Sequence, residues 1–199
     1  NMFVVKVPAV NGNIGCERAG NAIIDELKNI EVNEQGRVID KNLLDLEEIH
    51  VDNSDLESTN KLIYENAFET FQVKPRSIFL GGDHSISYSL ARAFSNYCRE
   101  DGKEPCLIVF DSMPNCIHTN EKFPNDVQWL RKLTENGFPE NNILLVGVRN
   151  YKKEELIFLK EKKIKVISMN QLLIDIEDVC DTIMEFSNKK ELYLSIDIG

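Results

Sequence analysis

The chain has 199 residues, 42% of them hydrophobic and 28% charged. That balance is ordinary for a folded domain and excludes disordered, collagenous and low-complexity classes. Lys and Arg number 23 against 33 Asp and Glu, a formal net charge of −10, so charge-driven binding to nucleic acid or to an anionic membrane is not expected. The sequence has no apolar run near the ~20 residues that a membrane-spanning helix needs. Its start, Met2-Phe3-Val4-Val5-Lys6-Val7-Pro8, lacks the basic region and long apolar stretch of a secretory signal, and Asn1 before it reads as a tag remnant. Cys16, Cys98, Cys106, Cys116 and Cys180 are odd in number and form no CxxC pair, which points to reduced thiols and a cytoplasmic protein.

Apolar runs and helical patterns alternate along the chain. Met2 to Val7 reads as a strand, followed by a Gly- and Asn-rich loop from Asn11 to Gly15. Glu17 to Leu27 has helical periodicity, with Ala19, Ile23, Ile24 and Leu27 on one side. A polar connection leads to a short strand at Glu48 to Val51, and Ser54 with Glu57 forms a capping box for a helix through about Phe71. Ser77 to Leu80 is a strand ending at Gly81-Gly82, and its continuous apolar run suits a parallel strand covered on both faces. Ile86, Leu90, Phe94 and Tyr97 mark the next helix, and Cys106 to Phe110 the next strand, which ends at Asp111. A helix over Val127 to Glu135 stops at Asn136-Gly137. Then come a strand at Asn142 to Val148, a helix at Lys152 to Lys163, a strand at Lys165 to Met169, a helix at Leu172 to Phe186 and a last strand at Leu192 to Ile198. Such alternation predicts a parallel sheet with helices on both faces. Ligands of such folds sit outside the carboxyl ends of the strands.

The residues just after the strands carry the chemistry. Gly81-Gly82 allows a sharp turn into Asp83-His84 at a helix start, Asp111 ends the following strand, and Asp197 ends the last one. Taken singly, each has a plain structural role as a turn, a cap or a packed His. One imidazole and two carboxylates at neighbouring strand ends instead suit a hard or borderline divalent metal such as manganese.

Gly81-Gly82-Asp83-His84-Ser85 matches in full the GGDHS motif of the arginase (ureohydrolase) superfamily. Phe110-Asp111-Ser112-Met113-Pro114-Asn115-Cys116 sits where that family has DAHxD, and Ser195-Ile196-Asp197-Ile198-Gly199 where it has SxDxD. Gly15-Cys16-Glu17-Arg18-Ala19 also resembles its early glycine-acid loop. The chain thus resembles a member of this superfamily of arginases, agmatinases and formimidoylglutamases from its first loop to its last residue. The resemblance implies an α/β fold, with three α/β/α layers around a mostly parallel, doubly wound sheet. Residues 1–199 would form a single domain that lacks the family's C-terminal segment, so the chain reads as truncated there. It also implies assembly into oligomers, and two manganese ions that activate a bridging water against a guanidinium-type carbon. His84, Asp111 and Asp197 carry over as metal ligands.

Three of the family's ligand positions are lost. Its His is Met113, its second Asp in the same motif is Asn115, and the last Asp is Gly199. A thioether is a poor partner for manganese, and an amide brings no charge. A His that relatives carry ahead of the helix holding Trp129 is Asp126 here, which reads as an N-cap or first-turn acid. Cys116 and His118 lie in the same loop and with His84 and Asp111 would make a zinc-favouring set; a packed Cys and an exposed loop His are the plainer reading. His50 reads as structural. Two functions follow. One is a metal-dependent hydrolase of a linear amidine or guanidino C–N bond. The other, favoured by the combined losses, is a non-catalytic or strongly impaired protein whose manganese is weak, partial or absent. It would assemble with itself or with an active relative.

Overall fold

The structure, a computed structural model, describes residues 2–198; Asn1 and Gly199, with the expectations attached to them, lie outside that range. The apolar runs become seven strands among the described residues: β1 (Met2–Val7), β2 (Leu44–Glu48), β3 (Ser77–Gly81), β4 (Pro105–Phe110), β5 (Ile143–Val148), β6 (Lys165–Ser168) and β7 (Glu191–Ile196). Between them run α1 (Ala19–Asn29), α2 (Leu56–Val73), α3 (Ile86–Glu100), α4 (Trp129–Glu135), α5 (Lys153–Glu161), α6 (Met169–Ile174) and α7 (Ile176–Ser187). All strand pairings are parallel, as the alternation predicts. Hydrogen bonding divides the strands into two sheets, ordered β2-β1-β3 and β6-β5-β4-β7, where the sequence suggested one.

Period-two burial makes the second sheet the middle of three layers. Leu107 and Val109 of β4 join Ile143 and Leu145 of β5 in the larger core, with Leu90 and Phe94 of α3 and Trp129 and Leu133 of α4. The alternate residues Cys106, Ile108, Leu144 and Val146 face the other way, onto Ile167, Val179, Leu172 and Phe186. On β7 the alternation is one-sided. Tyr193 packs edge-on against Phe94 with ring centroids 5.6 Å apart, while Leu192, Leu194 and Ile196 stay exposed.

Several element boundaries differ from the sequence reading. β2 lies upstream of the expected strand, because Leu44 to Glu48 pairs with Met2 to Lys6. As an edge strand it needs only half a buried face, and the more hydrophobic Ile49 follows it. The cap of α2 is Asp55, whose carboxylate accepts the Ser58 N–H at 3.0 Å, not Ser54, which instead donates to Asp52. The long helix expected from Leu172 to Phe186 is broken at Asp175. That residue is extended at φ −149° and accepts the Asp178 N–H, so it ends α6 and caps α7. α4 is shorter than expected, beginning at Trp129 after a turn.

The turn after β3 is fixed by close packing. A Cβ on Gly82, at φ +43°, would lie 2.2 Å from the Ala9 carbonyl oxygen and 2.7 Å from that of Val7. At Gly102, with φ +66°, a Cβ would meet nothing within 4 Å. Gly82→Ala is therefore expected to lower the thermal midpoint by about 5–10 °C, and Gly102→Ala, which adds only backbone strain, by about 2–4 °C. Melts followed by circular dichroism check this; equal shifts would show that the clash with β1 relaxes freely.

Candidate metal centre

Strand register brings the two acids together. Phe110 of β4 pairs with Ile196 of β7, so Asp111 and Asp197 are each the first residue beyond a matched pair. Their backbones continue the ladder, with the Asp111 N–H donating to Val146 O at 3.2 Å and the Asp197 N–H to Phe110 O at 2.9 Å. His84 arrives from the other sheet, on the turn after β3. That turn is held by Asp83, which is 5% exposed. Its carboxylate accepts the backbone N–H groups of Asn11 at 2.8 Å and Asn13 at 3.0 Å, and also those of Ser85, from backbone and hydroxyl. Asp83 is thus a clamp between the first loop and the His84 turn.

His84 Nδ1 lies 2.9 Å from Asp111 Oδ2 and 3.5 Å from Asp197 Oδ2. A carboxylate accepts only, so Nδ1 carries the proton toward Asp111. Nε2 is 3.0 Å from the Ser195 hydroxyl, and the ring leans on Trp129 with centroids 4.7 Å apart. Burial pushes the His84 pKa down, but hydrogen bonds and charge from Asp111 and Asp197 outweigh it and hold the pKa above the ordinary value. One ligand atom from each of His84, Asp111 and Asp197 lies within 4.8 Å of the others. The three residues named from the sequence are therefore brought to one spot.

Of the other candidates, Asn115 reaches the same spot through its amide, and the rest do not. Met113 is 38% exposed, and what it gives the site is its backbone N–H, which donates to Asp111 Oδ1 at 3.0 Å. Asn115 is buried, its amide nitrogen 2.7 Å from Asp111 Oδ2. Cys116 is fully buried and faces Glu155, with Sγ 3.6 Å from Oε2. Burial and the Glu155 carboxylate raise the Cys116 pKa, which opposes a metal-binding thiolate. His118 is exposed and pairs with Asn120 and Glu135, so the zinc-favouring set does not form. His50 is exposed beside Glu48. Asp126 is neither the N-cap nor in the first turn of α4, since the cap position is Gln128. Its N–H donates to Asn11 O, and its carboxylate fills the space where Gly12 would carry a Cβ.

The donor set fits one divalent ion and not two. His84, Asp111 and Asp197 would hold a single ion by nitrogen and oxygen, as manganese accepts. Two divalent ions would bring four positive charges against two carboxylates. The residues missed by sequence reasoning are Ser195 and Asn115 as hydrogen-bond partners. Ser195 was findable, because a strand's period of two places it on the face of Asp197.

The sequence matches the family model described as Arginase family over residues 3–199. It is 26% identical over 162 residues to an uncharacterized 32.2 kDa protein of Methanothermus fervidus, covering 80% of this chain and 53% of that protein. It is 28% identical over 142 residues to an arginase of Staphylococcus aureus (strain COL), covering 61% and 44% respectively. The fold is similar to that of formimidoylglutamase from Bacillus subtilis subsp. subtilis str. 168, with a TM-score of 0.86 at 19% identity, over 99% of this chain and 64% of that one. The chain spans about half the length of the curated relatives it matches.

Burial first, and then the negative charge of Asp83, hold the Asp126 carboxyl above the ordinary Asp value. Its ionised form is thus disfavoured in the fold, and Asp126 weakens stability as pH rises from about 4, the unfolded value, through its raised folded pKa. Asp126→Asn is expected to melt about 1–3 °C above the wild type at pH 7, with the gain vanishing below pH ~4. Melting curves across that range check it, and a gain that grows toward low pH would contradict the cause given.

Proposed function

Because this chain belongs to the arginase family, we propose that it is a member whose binuclear manganese centre is reduced to one weak divalent site, or to none. Its hydrolytic activity is then absent or strongly impaired. The observation that carries this reading is the state of Asp111. Oδ1 accepts the Met113 N–H, and Oδ2 accepts from both His84 and Asn115. These donors take three of the carboxylate's roughly four acceptor sites, so an ion at Asp111 competes with the protein's own donors, and the ligands that would favour it, a second His and a further acid, are replaced at Met113 and Asn115.

A bound ion would supply Lewis-acid polarisation and a water of lowered pKa. The chain's own residues hold the site in a fixed state. Asp111 orients His84 through Nδ1, Ser195 receives or supplies the hydrogen bond at Nε2, and Trp129 closes one face of the imidazole. A proton at His84 sits between two carboxylates and offsets one of their two negative charges. The reading extends to a cytoplasmic protein that assembles with itself or with an active relative, and whose net charge of −10 disfavours nucleic acid and anionic membrane.

The second reading, a metal-dependent hydrolase of a small linear amidine or guanidino compound, is favoured by the convergence of His84, Asp111 and Asp197. Metal content separates the two. After dialysis against excess manganese or zinc and removal of free ion, the wild type is expected to keep less than one ion per chain. Two tightly held ions would overturn the proposal. In Met113→His with Asn115→Asp, manganese affinity is expected to rise about 10- to 100-fold; calorimetric titration measures it, and no gain would mean that these two positions do not limit the site.

A further inference from the structure

Asn115 does more than fail to be an acid. It is 2% exposed, with its backbone at φ 56°, a region Asn enters more readily than most residues. Its amide nitrogen lies 2.7 Å from Asp111 Oδ2 and 3.2 Å from the Met113 carbonyl oxygen. Both neighbours only accept, so the NH2 side of the amide must face them. The Leu130 N–H donates to the Asn115 carbonyl at 3.0 Å, which ties the same residue to α4. Asn115 thus presents two N–H groups from a buried, doubly anchored position, one of them on the carboxylate oxygen that His84 also uses.

We propose that Asn115 is a built-in substitute for a cation: its amide supplies the positive end that the buried Asp111 carboxylate needs, so the ligand loop is stable without metal. The proposal deepens the reading of a reduced metal centre and rests on it for the place of Asn115 in the ligand loop. An acid at this position would set a second carboxylate oxygen against Asp111 at hydrogen-bonding distance. Two such carboxylates cannot both ionise there unless a cation or a proton lies between them. With Asp at 115 the loop's stability is tied to metal, and with Asn it is released from it. The amide also satisfies the Met113 carbonyl, so the exchange leaves no buried acceptor of the loop without its donor.

The test is thermal melting of the full chain in EDTA and in excess manganese. The wild type is expected to show a small manganese-minus-EDTA shift, about 2 °C or less. Asn115→Asp is expected to melt about 5–10 °C below the wild type in EDTA and to regain most of that loss in manganese. Asn115→Asp combined with Asp111→Asn removes the facing pair of acids but leaves the Met113 carbonyl without its donor, so it is expected to recover about half of that loss in EDTA. The exchange variant decides the matter if the single variant does not fold in EDTA. Wild-type-like melting of Asn115→Asp in EDTA, or failure of the exchange to recover any stability there, would each overturn the proposal. Metal content read on the same samples keeps the two conclusions apart. Two ions on the wild type would end the reduced-centre reading and leave the role of Asn115 standing if Asn115→Asp still melts lower in EDTA, whereas at most one ion on the wild type with wild-type-like melting of Asn115→Asp in EDTA would do the reverse.

Discussion

His84 joins the two sheets at the point on which the site depends. It leaves β3, which belongs to one sheet, and its ring reaches Asp111 and Ser195, which belong to the other. That reach requires the turn at Gly82 to pass within van der Waals distance of the end of β1, and it requires Asp83 to hold the first loop against the same turn. A shift of an ångström in either would open the Nδ1 contact. The short distances at His84 are therefore a consequence of backbone packing some way behind it, in the sense that supporting groups fix the geometry of the groups that would bind.

The acids reach the same point by a different route. Asp111 and Asp197 need no special turn, because parallel register alone sets them side by side once Phe110 and Ile196 are paired. Their closeness to each other is a property of the ladder, and their closeness to His84 is a property of sheet-to-sheet packing. These two origins explain why the three side chains converge. The backbone positions of the trio are set by β4, β7 and the Gly82 turn, whereas Met113 and Asn115 act on the Asp111 carboxylate itself, through hydrogen bonds to its two oxygens.

Charge then decides what the surviving trio is suited to. A protonated imidazole offsets only one of the two buried or half-buried carboxylates, and Asp111 is further satisfied by hydrogen bonds from the Asn115 amide and the Met113 N–H. Desolvated anions need a counter-charge or hydrogen bonds. Here both come from the protein itself. The arrangement is a His/Asp cluster of metal-ligand type whose buried charge is met in part by fixed dipoles.

The sequence by itself determined the alternation of strands and helices, the parallel pairing and the strand-end positions of Asp111 and Asp197, because continuous apolar runs, helical periodicity and acids placed directly after strands are local signals. Boundaries that depend on neighbours were less legible: β2 is fixed by its register on β1, and the break at Asp175 by a side chain choosing to cap the following helix rather than continue the preceding one. Only the tertiary structure decided that Cys116 turns to Glu155, that His118 turns to the surface and that Asn115 presents its amide to Asp111. These residues share one loop, and a loop's side-chain directions follow from the contacts it closes with distant elements, which no local pattern encodes.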